Sequence, residues 1–283
     1  MGLKRYIVVF AAAAAALAQD QTAAEKLYAH TDYEQALRLL QHSPDTDAAH
    51  WELMGRCHLM LGNAKKATEY FQKAVALEPK NSVYVLWLGR AWGRRAETAS
   101  PFFAPANAAK ARDYFEKALE LDPNNRDALG DLFDYYLNAP GFLGGGIDKA
   151  EAVARRIEAI DPPEGHFVLS QVAGKRQQRD ATERELRIAV KLAPDQLGHV
   201  IALARFLARQ ARLVESDAVL AEAERIAPAS PRMLYAKASI YIETHRKVDE
   251  ARALLQTYLA SQLTPDDPPR EAAEKLLKTA SGG

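Results

Sequence analysis

The sequence predicts an all-α chain of about seven helix-turn-helix units, closed by a C-terminal capping helix. Three observations predict it. A spaced set of small, aromatic and proline residues recurs at an interval of about 34 residues. Within each interval apolar residues fall at i, i+3, i+4 and i+7, which is one face of a helix. Prolines, which cannot continue a helix, close nearly every interval.

The first eighteen residues read as a targeting segment. Lys4 and Arg5 supply a positive start, Tyr6 to Leu17 is an apolar run, and Ala16-Leu17-Ala18 is a small-residue cleavage site. The run is shorter than the roughly 20 residues a spanning helix needs. A cleaved leader, residues 1–18, is therefore expected, with the mature chain beginning at Gln19 in the periplasm or outside the cell. No integral membrane segment is expected after cleavage.

Residues 19–47 form a shortened first unit around Leu27, Ala36, Leu40 and Pro44. The array proper spans residues 48–264, divided as 48–81, 82–125, 126–162, 163–196, 197–230 and 231–264. Its clearest unit carries Trp51, Met54, Gly55 and His58, then Ala67, Phe71, Ala74 and Pro79. The next carries Leu88, Gly89 and Trp92, then Ala111, Phe115, Ala118 and Pro123. Later units keep the apolar spacing and close at Pro162, Pro194 and Pro228. Residues 265–283 supply the capping helix, with Ala272, Ala273, Leu276 and Leu277 at helical spacing behind Pro268 and Pro269. Gly55 and Gly89 let a partner helix approach, Ala67 and Ala111 do the same on the second helices, and Phe71 and Phe115 fill the space between them.

The spacing from Trp51 to Pro79 resembles the tetratricopeptide-repeat (TPR) signature W-x2-L-G-x2-Y, A-x3-F, P. The resemblance extends along almost the whole mature chain. It implies a right-handed α-solenoid in which stacked units share a core. It also implies that the first helices line a concave groove where another protein or peptide docks. Counting along the repeat, the groove positions include Arg56, Arg90, Arg94, Lys175, Arg205 and Arg209. In some TPR cochaperones such residues clamp a peptide's terminal carboxylate, and arginine's planar fork suits that task. The opposite expectation is self-pairing, since Asp127, Asp131 and Asp134 lie on the helix beside Arg90 and Arg94.

Two units are longer than the rest. One insertion, residues 96–108, holds Phe102 and Phe103 between Pro101 and Pro105. The other, residues 139–147, holds Phe142 and Leu143 before a flexible run of three glycines. Both read as surface loops emerging on one edge. Their aromatics either serve a partner or fold back to plug the gap that the insertions leave. The second insertion also resembles a loop of bacterial exported members of the family, which carries no activity with it.

Composition excludes several classes of function. Lys+Arg and Asp+Glu stand at 37 each, so nothing suggests a nucleic-acid partner. Cys57 is the single cysteine, placed in a helix pattern as a small buried residue. The seven histidines lack metal-ligand spacing, and Gly141 to Gly146 lacks the lysine of a phosphate loop. No acid, base and nucleophile grouping occurs, so neither a catalytic site nor a cofactor is expected. The sequence therefore reads as a non-enzymatic adaptor or scaffold of the bacterial cell envelope. The alternatives are a peripheral subunit of an envelope assembly or export complex and, less favoured, an enzyme with a site in the inserted loops.

Overall fold

Short polar side chains start the first helix of most hairpins. Asp47, Asn81, Asn125 and Asp161 each accept a hydrogen bond from a backbone N–H of the turn they open. They satisfy donors that a helix N-terminus leaves unpaired. Pro79, Pro123, Pro194 and Pro228 stand two residues beyond helices ending at Leu77, Leu121, Leu192 and Ile226. Pro162 differs. It opens the following helix instead of closing the preceding one, in the first turn where its missing N–H is no loss.

A computed structural model describes residues 21–43, 47–228, 230–264 and 267–280. The expected leader, Pro44 and the last three residues lie outside them. The described residues form α-helices joined by turns: α1 (21–29), α2 (Tyr33–His42), α3 (Ala48–Met60), α4 (Ala64–Leu77), α5 (Ser82–Thr98), α6 (Ala104–Leu121), α7 (Arg126–Asn138), α8 (Ile147–Ile160), α9 (Pro162–Lys175), α10 (Arg179–Leu192), α11 (Leu197–Arg209), α12 (Leu213–Ile226), α13 (Pro231–Glu243), α14 (Val248–Ala260) and α15 (Arg270–Ala280). The fold is all-α and built of helical hairpins. No helix among the described residues is long and apolar enough to cross a membrane.

The chain divides into two compact units, Met1–Ala150 and Glu151–Gly283, with the division inside α8. In the first, Tyr28, Leu40, Leu53, Met54 and Cys57 share a core between the shortened hairpin and its neighbour. Burial pushes the Cys57 thiol up to about 12, so it stays protonated. A Cβ added to Gly55 would lie 2.7 Å from the Phe71 ring, and one on Gly89 the same distance from Phe115. Each glycine thus admits a phenylalanine from the second helix. In the second unit Ala204 and Leu220 share one core cluster, and Ala238 and Leu255 another. There a methyl group and a smaller side chain fill the volume that a glycine and a phenylalanine fill in the first.

Helix α15 packs as the expected cap, with Ala273 buried against α13 and α14. The Arg252 guanidinium donates to the Ala280 carbonyl, which would otherwise be an orphan at the helix end.

The first insertion is mostly helix where its sequence suggests a loop, and the second is a surface loop but not a flexible one. Residues 96–108 mostly lengthen α5 and α6, which run 17 and 18 residues against 13 and 14 in α3 and α4. Ala-rich sequence favours helix, and Pro105 sits in the first turn of α6, where it is tolerated. Only residues 99–103 are left as a connection. The glycine run is pinned. Gly141–Leu143 form a single 3-10 turn, Gly145 N–H donates to Pro140 O, and Gly146 N–H donates to Tyr136 O at 2.8 Å. A Cβ on Gly145 would lie 1.9 Å from the Ala139 oxygen, so this glycine serves close approach, while Gly144 takes the left-handed conformation, φ 88°.

Candidate functional site

The groove arginines expected from the repeat do not gather into one site. In α3, the Arg56 guanidinium lies 4.3 Å over the Tyr28 ring and 5.0 Å over Trp87, with Glu52 at 3.6 Å. The Arg90 guanidinium covers Trp87 at 4.7 Å. Both cations are attracted to the Trp87 ring. Arg90 also donates to Asp131 on α7 at 2.5 Å and stands 3.6 Å from Asp127. Burial raises the Asp131 carboxyl above its ordinary range, and the Arg90 hydrogen bond opposes that rise. Arg56 and Arg90 are thus committed within the fold, as self-pairing requires.

Arg94 differs. Its partner is Glu97, three residues on along α5, and the two side chains are 54% and 62% exposed. An exposed pair of this kind contributes little, and an incoming carboxylate can replace Glu97.

Arg94 stands in the wall of a cleft of about 420 Å³ within the first unit. Arg90, Asp131, Asp134 and Tyr135 complete the polar wall. The floor is apolar and made mainly of small residues: Leu59, Gly93, Ala96, Ala108, Ala111 and Phe115. The lengthened α5 and α6 create that floor, since Ala96 and Ala108 belong to the added turns. A cleft with an apolar base and an exchangeable cation at the rim suits an apolar side chain next to an acidic group.

In the second unit Arg205 and Arg209 both turn to α13. Arg205 donates to Ser239 Oγ at 3.2 Å and lies 3.4 Å from Glu243, and Arg209 donates to Glu243 at 3.3 Å. Glu243 thus occupies both arginines as a ligand carboxylate would. Lys175 is exposed at the end of α9.

The inserted aromatics do not plug the solenoid. Phe102 is 84% exposed, Phe103 60% and Phe142 83%, and Phe102 meets Phe103 edge to face at 5.1 Å. Leu143 is half-buried, and its carbonyl accepts from Tyr135 Oη at 2.7 Å and from Arg112 at 3.2 Å. Its role is to seat the turn that carries Phe142.

A set of turn residues escaped the repeat reading. Arg176 opens the α9–α10 turn and reaches Glu151 on α8 at 2.6 Å. Arg212, before α12, reaches Glu183 on α10 at 2.5 Å. Arg246, before α14, meets both oxygens of Asp217 on α12 at 2.7 Å. Each ties a turn to the second helix of the preceding hairpin. The signal was an arginine recurring near repeat spacing, opposite an acid recurring likewise.

Among the described residues no group of His, Cys, Asp or Glu is placed to hold a metal ion. His58 is buried and stacks on Tyr70 at 5.2 Å, which makes it a packing residue.

Comparison with known proteins agrees with this architecture. Tetratricopeptide-repeat family models match residues 51–81 and 106–125. No curated protein matches the chain. Among solved structures, a tetratricopeptide repeat protein from Parabacteroides merdae is similar at 13% identity, covering 94% of this chain and 98% of its own, with a TM-score of 0.63. TTC0263, a thermophilic TPR protein of Thermus thermophilus, shares 21% identity over 68% of this chain and 98% of its own, with a TM-score of 0.56. The C-terminal part of a TPR repeat-containing protein from Cytophaga hutchinsonii is similar at 15% identity over 91% of this chain and 99% of its own, with a TM-score of 0.50. The Gly55–Phe71 and Gly89–Phe115 contacts repeat in the fold within the two segments that the family models match, so the chain carries tetratricopeptide repeats in an all-α fold similar to that of these proteins.

Proposed function

We infer that this chain is a non-enzymatic adaptor or scaffold of the bacterial cell envelope, exported behind the leader at residues 1–18. Its partner is a protein segment held in the cleft between α5 and α7. The observation that carries the reading is the cleft itself. Arg94 is the one rim arginine whose ion pair is exposed and local, above a floor kept open by Gly93, Ala108 and Ala111. A partner segment places an apolar side chain on that floor and a carboxylate at Arg94, replacing Glu97. TPR repeats bind protein partners, which gives the class of ligand. The leader gives the compartment.

The test is affinity capture from the native envelope, read by mass spectrometry, with the wild-type chain beside Arg94→Ala and Ala108→Arg. Both variants are expected to keep the wild-type melting temperature and to lose the captured partner. An unchanged set of captured proteins would remove the cleft from the function. N-terminal sequencing of the same material tests the compartment, with Gln19 as the expected first residue and an intact Met1 in the soluble periplasmic fraction as the opposing result.

A further inference from the structure

The tip of the α5–α6 hairpin is a second feature that the cleft does not absorb. Residues 99–103 carry Phe102 and Phe103 into solvent. On one side of them lies a groove of about 540 Å³, lined by Lys65, Lys66, Arg95, Asn107 and Phe103 among others. Lys65 and Lys66 are exposed at the start of α4. No ion pair is recorded for Lys65, Lys66 or Arg95 among the described residues. Arg95 and Lys110 both lie over the Trp92 ring, at 4.1 and 4.0 Å. Neither α4 nor α6 carries an acid in its first turn. Glu97 is taken by Arg94, and the nearest acid on α4, Glu69, stands a full turn deeper.

The geometry points to an anionic phospholipid surface as the occupant of this tip. Two aromatics at the end of a protruding hairpin, beside three uncompensated cations, match what a bilayer interface requires. Aromatic and apolar side chains sit at the acyl boundary while Lys and Arg meet lipid phosphates. A protein partner fits less well. Two phenylalanines supply about 300–500 Å² of apolar area, short of the roughly 800 Å² per partner of a stable interface. Their surroundings are cationic where a protein interface would continue apolar.

The geometry also sets how much of the edge is involved. Arg112 touches the Leu143 carbonyl eight residues into α6. At about 1.5 Å of rise per residue, the tip stands about 12 Å beyond the turn that carries Phe142. That exceeds the roughly 5–8 Å thickness of one headgroup layer. Phe102 and Phe103 therefore enter the interface, and Phe142 stays outside it.

The experiment is co-sedimentation of the full chain, purified with its N-terminus determined, with two kinds of vesicle. One is phosphatidylcholine alone; the other contains about one third phosphatidylglycerol. Binding is expected only to the anionic vesicles and should weaken by about tenfold in about 0.5 M salt. A Phe102→Ser, Phe103→Ser double variant should lose about tenfold or more in binding, as should Lys65→Gln with Lys66→Gln. Phe142→Ser should bind as the wild type does. Should the aromatic variant fail to fold, the lysine variant and the salt series still decide. Equal binding by all variants, or no binding to anionic vesicles, overturns the inference. So does loss of a soluble protein partner on changing Phe102 and Phe103 while vesicles remain unbound. Because vesicles contain no protein, failure here leaves the cleft reading intact.

Discussion

The hairpin ends of the two units solve the same problem by different means. In the α3–α4 turn of the first unit, Gly62 takes the left-handed conformation, φ 77°. Its N–H donates to Leu59 O, and that of Asn63 donates to His58 O. In the second unit the same pair of bonds closes the turns at Gln177 and Gln178 and at Ala211 and Arg212. Yet the left-handed residues are Gln177 and Ala211, at φ 61° and 60°. A side chain there costs about 1–2 kcal/mol. Turn arginines of the second unit, Arg176, Arg212 and Arg246, also reach Glu151, Glu183 and Asp217 on the preceding hairpins. In the first unit the α3–α4 turn is relaxed and the α5–α6 end is long and apolar, although Thr31 in the α1–α2 turn is left-handed as well, at φ 62°. The second holds its ends strained, short and ionic. A unit whose turns are engaged with neighbouring hairpins has little surface left for a ligand there, whereas free ends are available for docking.

The two units should also respond to acid with opposite sign, and this is the largest effect expected. Glu52 in α3 is buried, and burial raises its carboxyl to about 7 despite Arg56. The folded state therefore binds a proton that the unfolded state releases, so stability is greatest below the ordinary carboxylate range and falls as pH rises to about 7. The difference is about 3 kcal/mol. Asp217 in the second unit is held below its ordinary range by Arg246 first and by Lys247 next. Its contribution is present above that range and is lost as pH falls through the lowered value. Denaturant melts of Glu52→Gln at pH 8 and pH 5 test the first half. The variant should be more stable than the wild type at pH 8 and no better at pH 5. A gain of equal size at both would show that Glu52 is not protonated in the fold.

Next in size is the exchange of glycine and phenylalanine for alanine and leucine. Gly89→Ala forces a methyl group against the Phe115 ring and should cost about 2 kcal/mol. Phe115→Leu in the same chain should recover most of that loss, because Ala204 with Leu220 already packs this way. Additive losses in the double variant would mean that the two units are not built on one plan.

Ala211→Gly should then stabilise the second unit by about 1 kcal/mol, because glycine adopts the left-handed conformation without a side-chain clash. The same melt on Gly62→Ala should show a loss of similar size. The smallest effect belongs to the apolar tip. Changing Phe102 and Phe103 to serine should alter stability by less than about 0.5 kcal/mol, since both rings are already in water. A clear drop in melting temperature would show that they are buried in solution.

Much of this was legible in the sequence because repeats report packing. Trp51, Gly55, Phe71 and Pro79 each have one physical task, so their spacing gives the hairpin. The pairing of Arg90 with acids on α7 was also readable, because Asp127, Asp131 and Asp134 share one helix face. The insertions were not. A Pro-Phe-Phe-Ala-Pro segment reads as loop, but the second proline is harmless in a first helical turn, and the alanines around it extend both helices. Three glycines read as flexible, while here Gly145 lets a backbone oxygen approach where a Cβ would collide and Gly144 takes a left-handed turn. The exposure of the aromatics was undecidable from pattern alone, because an apolar residue in a turn can face either way.

The arginine contacts of the second unit bear on how that unit comes apart. In a linear array each hairpin is held by its own folding free energy and by coupling to its neighbours. Arg176, Arg212 and Arg246 add to the coupling, since every one of them bridges two hairpins. Opening one hairpin therefore releases a contact belonging to the next, and the penalty for a boundary between folded and unfolded segments rises. Fraying from the end becomes unfavourable. Amide hydrogen exchange should find α9 to α14 losing protection together, as one cooperative block.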